Sequence, residues 1–146
     1  MNWLFDTNII SETRKPRPNE AVTDWIGSVS LSQMHTASVN IAELVYGAEC
    51  QDDLIKRREL LRWVNEDVRG WFSERTHEVT ENVLVRWRHA TRVADAKRQH
   101  APATDLLIAS VAAEYQLSVA TRDVAPFVTA GLPVFNPFTG ERFNGA

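Results

Sequence analysis

The sequence predicts an α/β fold: a parallel sheet covered by helices on both faces. Two observations carry this expectation. Short apolar runs suited to buried strands alternate with segments of helical period along the chain. Four carboxylates then fall just after strands or in the first turns of helices, the edge of such a sheet where ligands bind. The length, 146 residues with 44% hydrophobic side chains, suits one domain over 1–146 with a sizeable core.

The first strand, Asn2–Phe5, ends at Asp6, and Thr7 or Asn8 is positioned to cap a short helix, Ile9–Thr13. Pro16 and Pro18 interrupt the chain. Ala21, Val22, Trp25, Ile26 and Val29 recur at the helical period. Met34–Ala37 reads as the second strand, and Ser38 opens a helix through Ile41, Leu44, Val45 and Ala48. An amphipathic helix over Leu54–Val68 carries Leu54, Ile55, Leu61, Val64 and Val68 on its stripe, so the two helices form a hairpin. A short strand is expected around His77–Val79. Thr80 starts a long helix with Val83, Leu84, Trp87, Ala90, Val93 and Ala94 on one stripe. Pro102 suits the first turn of the next helix, which runs on through Ala103–Tyr115. Leu117–Ala120 and Val134–Phe135 bring the sheet to about five strands, and 137–146 reads as a loosely ordered tail.

Composition narrows the function. A single cysteine, Cys50, excludes an internal disulfide and the cysteine-rich zinc sites; on a helix with no nearby histidine it is expected to be buried rather than reactive. No apolar run approaches the roughly 20 residues that span a bilayer, and Asp6 comes too early for a signal peptide. A soluble, cytoplasmic protein without a membrane partner is expected. The net charge of −3 is unlike a strongly basic nucleic-acid binder, but it is uneven. Between Arg86 and His100 there are five Lys/Arg (Arg86, Arg88, Arg92, Lys97, Arg98) against Asp95 alone, a stretch that either tracks an RNA backbone or is a solvated helix face.

Asp6 and Asp123 follow the first and fourth strands; Glu43 and Asp105 lie in the early turns of helices that start at the same edge. Each has an ordinary reading: the aspartates as helix caps or dipole partners, Glu43 as an exposed helix residue. Four converging carboxylates, however, repel one another when empty, and a hard divalent cation such as Mg²⁺ or Mn²⁺ relieves the repulsion. Such a site suits metal-assisted phosphodiester hydrolysis. By themselves, composition and spacing support an α/β domain with an acidic site.

Five segments carry a closer likeness: Leu4-Phe5-Asp6-Thr7-Asn8; Ser38–Glu49 with Glu43; Pro102–Ala109 with Asp105; Ala120-Thr121-Arg122-Asp123 followed by Phe127; and Gly131–Phe138. In this order they resemble the PIN-domain ribonucleases, and among these the VapC-type toxins of type II toxin–antitoxin pairs, in the FitB-like branch. The resemblance implies a PIN-like fold and a Mg²⁺- or Mn²⁺-dependent endoribonuclease. It implies Asp6, Glu43, Asp105 and Asp123 as the metal-binding, catalytic set, with Asp6 and Asp105 as direct ligands. Asn8 and Thr121 are implied as supporting residues that help hold Asp6. It further implies a homodimer, a higher assembly with a small DNA-binding antitoxin, and an antitoxin that wraps the Ser38–Val68 hairpin and puts a basic side chain into the acidic pocket.

Other readings stay open. Asp6 is also a candidate phosphatase nucleophile, although Asn8 stands where that chemistry wants a second acid; a non-catalytic, antitoxin-binding regulator is a third. Trp3, Trp25 and Trp87 fall on apolar stripes, whereas Trp63 and Trp71 border the hairpin and suit a partner surface. The four histidines lack metal-ligand spacing, and Ser110 has no adjacent base.

Overall fold

The computed structural model describes residues 1–145. Six strands form one sheet: β1 (Trp3–Phe5), β2 (Met34–Ala37), β3 (Thr76–His77), β4 (Ser118–Ala120), β5 (Pro133–Phe135) and β6 (Arg142–Asn144), in the order β3-β2-β1-β4-β5-β6. β1 to β5 are parallel, and β6 runs antiparallel to β5. The sheet is therefore one strand larger than the about five expected, and mostly rather than wholly parallel. The sixth strand comes from the segment read as a loose tail, whose last residue, Ala146, lies outside the described residues. A three-residue edge strand leaves little periodicity to read: only Phe143, opposite Val134, is a half-buried apolar side chain. The return is closed by the Asn136 N–H, which donates to the Glu141 carbonyl at 2.9 Å, and by the Arg142 guanidinium lying 4.3 Å over the Phe135 ring.

Among the described residues eight α-helices accompany the sheet: α1 (Thr7–Glu12), α2 (Glu20–Ser28), α3 (Ser38–Glu49), α4 (Leu54–Arg62), α5 (Arg69–Trp71), α6 (Glu81–Ala96), α7 (Ala103–Glu114) and α8 (Ala125–Thr129). Alternation along β1 divides the core. Trp3 and Phe5 face one side, packed with Ile9, Ile10, Val22, Ile41 and Leu44 from α1, α2 and α3. Leu4 faces the other, packed with Val83, Ile108, Val111 and Phe127 from α6, α7 and α8. Helices thus cover both faces.

Two apolar stripes differ from expectation. The Leu54–Val68 helix is not regular: α4 stops at Arg62, and Trp63–Val68 widens to π-helical pairing before α5. The wider turn carries Val64, Val68 and Phe72 inward and leaves Leu54 and Ile55 66% and 70% exposed. On α6 only Val83 and Ala94 are buried, while Leu84 and Val93 face out, because α6 flanks α7 rather than lying flat on the sheet.

The chain leaves β1 toward β2 on one side, and β4 lies on the other. Strand order reverses between β1 and β4, the place where a doubly wound sheet opens a crevice at its carboxyl edge. The Asp6 N–H donates to the Ala120 carbonyl at 3.0 Å across that point.

Candidate active site

Asp6 sits where β1 ends and α1 begins. Its extended backbone (φ −72°, ψ 160°) makes it the N-cap of α1, with Oδ1 accepting from the Thr7 N–H at 2.8 Å. The cap is thus Asp6 rather than Thr7 or Asn8, because the helix starts directly after the strand. Oδ1 also accepts from Asn40 Nδ2 at 3.1 Å, and Oδ2 from Thr121 Oγ1 at 2.7 Å. Asn8 Nδ2 stands 3.5 Å from Oδ2, at the limit of a hydrogen bond, and 3.3 Å from Thr121 Oγ1. Asp6 is 5% exposed.

Two neighbours extend this support. The Thr121 hydroxyl gives its proton to Asp6 and accepts from the Asp123 N–H at 3.0 Å, which anchors the loop carrying the fourth acid. Asn8 Oδ1 accepts from the Arg122 N–H at 3.1 Å in the same loop. On the other side, Glu43 Oε2 accepts from Thr7 Oγ1 at 2.7 Å, and Thr7 Oγ1 accepts from Asn40 Nδ2 at 3.1 Å. Asn40 is wholly buried, and its Oδ1 takes the Ala37 N–H at 3.2 Å, tying the β2–α3 junction to Asp6. Sequence reasoning passed over Asn40 and the Thr7–Glu43 contact. The available signal was a polar side chain beside Ile41 on a face that otherwise turns inward.

Asp105 is half-buried in the first turn of α7, and Asp123 is exposed between β4 and α8. Among the described residues neither carboxylate takes a hydrogen bond from the protein. Burial, the largest cause, pushes the Asp6 carboxyl up to about 6; Asp105 and Glu43 add to it, against the lowering bonds from Thr121 and Thr7. The Asp105 carboxyl is also raised, first by burial and then by Glu43 and Asp123. Asp105 and Glu43 thus act on Asp6, and Glu43 and Asp123 act on Asp105, which links the four acids from four separate segments at one sheet edge.

Among the described residues, no three His, Cys, Asp or Glu side chains close into a ready-made cage. The donor set still fits a hard divalent cation. All four side chains offer carboxylate oxygens. Among the described residues Asp105, Asp123 and Glu43 Oε1 are free of protein donors, and the long Asn8 contact leaves room at Asp6 Oδ2. Mg²⁺-type ions keep several waters and need only a few carboxylates, which such an open edge supplies.

A cleft of about 270 Å³ runs from Thr7 and Glu43 between α1, α3 and α4, past Arg14, to Trp63. The Arg14 guanidinium lies 5.6 Å over the Trp63 ring, and Trp63 meets Trp71 edge-on at 6.2 Å, both half-buried. Cys50 is exposed rather than buried, because α3 ends on it. His35 and His77, which sequence spacing left unconnected, meet across β2 and β3 with Nδ1 and Nε2 2.9 Å apart, and Tyr115 stacks on His77.

A family model described as PIN domain matches residues 3–130, a span that contains all four acids. The chain belongs to the PIN-domain family. It is 32% identical over 135 residues to Toxin FitB of Neisseria gonorrhoeae, covering 92% of this chain and 97% of that protein. It is 27% identical over 135 residues to VapC ribonuclease Y4jK of Sinorhizobium fredii, covering 92% and 96%. The crystal structure of FitAcB from Neisseria gonorrhoeae superposes with a TM-score of 0.88 at 32% identity, over 93% of this chain and 98% of that one. A structure of FitAB bound to an IR36 DNA fragment gives 0.87 at 30% identity, over 93% and 95%. As a PIN domain with such relatives, the molecule has the fold class that its strand–helix alternation predicts.

Proposed function

We propose that this chain acts, as a single domain, as the toxin of a toxin–antitoxin pair: an endoribonuclease that depends on Mg²⁺ or Mn²⁺ and is neutralised by a cognate antitoxin. The observation that carries the reading is the carboxylate edge at the strand-order reversal. There Asp6 is held by Thr7, Asn40 and Thr121, all neutral donors, and burial first, then Asp105 and Glu43, raises its carboxyl to about 6. Relatives named toxin and ribonuclease, matched over nearly their whole lengths, support it.

In this reading Asp6 and Asp105 hold the cation, with Glu43 and Asp123 acting partly through water. When bound, the cation lowers the pKa of water and neutralises charge building on the scissile phosphate. Thr121, Asn40 and Thr7 keep Asp6 and Glu43 in one orientation, so little reorganisation accompanies binding.

The antitoxin docks on the α3–α4 hairpin and reaches the acids along the Trp63 cleft. Tyr46, Leu54 and Ile55 on that hairpin are exposed apolar side chains suited to a partner, and the FitAcB and FitAB structures that this chain matches support a two-protein assembly. The toxin is a cytoplasmic homodimer in this account. Among the described residues no helix is long and apolar enough to cross a membrane.

End-labelled total RNA incubated with the purified chain and Mg²⁺ or Mn²⁺ tests the activity. Discrete fragments that vanish with EDTA and with Asp105→Asn are expected. Wild type and variant equally inert under both metals would reduce the proposal to a binding role.

A further inference from the structure

The acidic edge leaves a different part of the chain unexplained. Arg86–His100 holds five of the sixteen Lys/Arg and one of the nineteen acids, leaving eleven basic against eighteen acidic residues elsewhere. The structure puts this charge on α6 from its middle turns onward and on the turn after it. Of the five, Arg86 is engaged, by Glu114 on α7. Among the described residues Arg88, Arg92, Lys97 and Arg98 form no ion pair, and all four are exposed. Arg88 and Arg92 stand four residues apart, so they share one helix face and repel each other. With His89, Thr91 and Asp95 they line an open, polar depression of about 410 Å³.

Two features fix this segment next to the helix that carries Asp105. Trp87 Nε1 donates to the Ala103 carbonyl at 3.3 Å, which holds the middle of α6 against the start of α7, two residues before Asp105. The C-terminus of α6 is closed tightly, with the Lys97 N–H donating to Val93 and the Gln99 N–H to Ala94 at 2.9 Å. That closure holds Arg98 at φ +52°, a left-handed conformation that glycine adopts without strain and arginine does not. The short turn from Arg98 then leads directly through Pro102 into the helix that carries Asp105.

We propose that the C-terminal half of α6 and its closing turn, through Arg88, Arg92, Lys97 and Arg98, form a track for the sugar–phosphate backbone of single-stranded RNA entering the acidic edge. The proposal rests on the ribonuclease reading for its direction and adds the surface that holds the substrate. Uncompensated cations beside a repelling carboxylate cluster give the strand a favourable approach without contacts to particular bases. Arginine suits this task because its guanidinium offers paired donors to phosphate oxygens.

Fluorescence anisotropy with a short labelled single-stranded RNA, in EDTA so that cleavage is silent, tests it on the full chain. Arg88→Ala/Arg92→Ala should weaken binding about 10-fold at moderate salt and reduce the slope of log affinity against log salt by about 1.4, the share of two phosphates. Arg98→Gly should weaken RNA binding while raising the Tm, a pairing that a purely structural residue would not produce. If the double variant lost its cooperative melt, Lys97→Gln/Arg98→Gln would read the same quantity. Unchanged affinity and slope in folded variants would overturn the track, as would duplex DNA bound as tightly as RNA with the same losses. Wild type that binds RNA through these residues yet cuts none with Mn²⁺ would uphold the track and defeat the nuclease reading. RNA cut by wild type but bound equally by the variants would do the reverse.

Discussion

Two buried carboxylates at opposite ends of α1 show how differently this fold treats an acid. Glu12, 4% exposed at the end of the helix, is answered on both oxygens: Lys15 Nζ lies 2.9 Å from Oε1, and the Asn19 N–H donates to Oε2 at 2.9 Å. Those two bonds, the Lys15 one first, hold its carboxyl below the usual range. Asp6, 5% exposed at the start of the same helix, is answered by neutral donors only, and burial raises it to about 6. The first acid stabilises the loop that joins α1 to α2. The second weakens the native state at neutral pH, as does Asp105, whose carboxyl is also raised. In the proposed reading the uncompensated carboxylate belongs to the divalent-cation site and the compensated one to the architecture.

The comparison breaks first at the chemistry. Asp105→Asn should lower RNA cleavage at least about 100-fold, as expected when a carboxylate that holds the proposed cation is lost, whereas Glu12→Gln should leave the rate per folded molecule unchanged. Fragment yield per unit time from one labelled RNA reads both.

The pH dependence of stability separates the two acids next. The Asp6 carboxyl is raised from 3.8 to about 6, so the folded chain holds its proton longer than the unfolded chain. Its cost is absent below pH about 4, grows as pH rises through 6, and reaches a ceiling of about 3 kcal/mol. Glu12 has the opposite sign: its contribution is present above pH 4.5 and disappears as pH falls through its lowered folded value. Urea midpoints from pH 3.5 to 7.5, without metal, should therefore show a falling limb above pH 4 that survives Glu12→Gln, and an acid limb that this variant shortens.

Smaller effects sharpen the contrast. Glu12→Gln should cost about 1 kcal/mol at pH 7, since the Asn19 N–H keeps an acceptor while the Lys15 pair is lost. Thr121→Val should cost a similar amount, about 1 kcal/mol, by leaving the Asp123 N–H unpaired, and should push the Asp6 carboxyl higher still. Denaturation at two pH values checks both.

Much of this arrangement is legible in the sequence because it is local. Asp6 follows an apolar run, Asp105 follows a proline, and Asp123 follows a short strand; strand–helix alternation then assigns all of them to one edge. What escaped notice depends on distant partners. Asn40 gains meaning only when β2 lies beside β1 and brings it to Asp6 and Thr7, thirty-odd residues away in the chain. The Leu54–Val68 stripe misleads because a π-helical segment changes the period within it, so the first apolar residues of the stripe face solvent and the last face the core. β6 is held by backbone pairing, one cation–ring contact and a single apolar side chain, Phe143, which together leave no periodic apolar pattern.

The most direct measurement is the melting temperature at pH 7.5 with and without Mn²⁺ for wild type, Glu12→Gln and Asp105→Asn. A cation that binds only the folded chain stabilises it by about 2.7 kcal/mol at a hundredfold excess over its dissociation constant. Wild type and Glu12→Gln should rise together by several degrees, and Asp105→Asn should stay near its metal-free value. Equal shifts in all three proteins, or none in wild type, would contradict the assignment of the four carboxylates to one divalent-cation site.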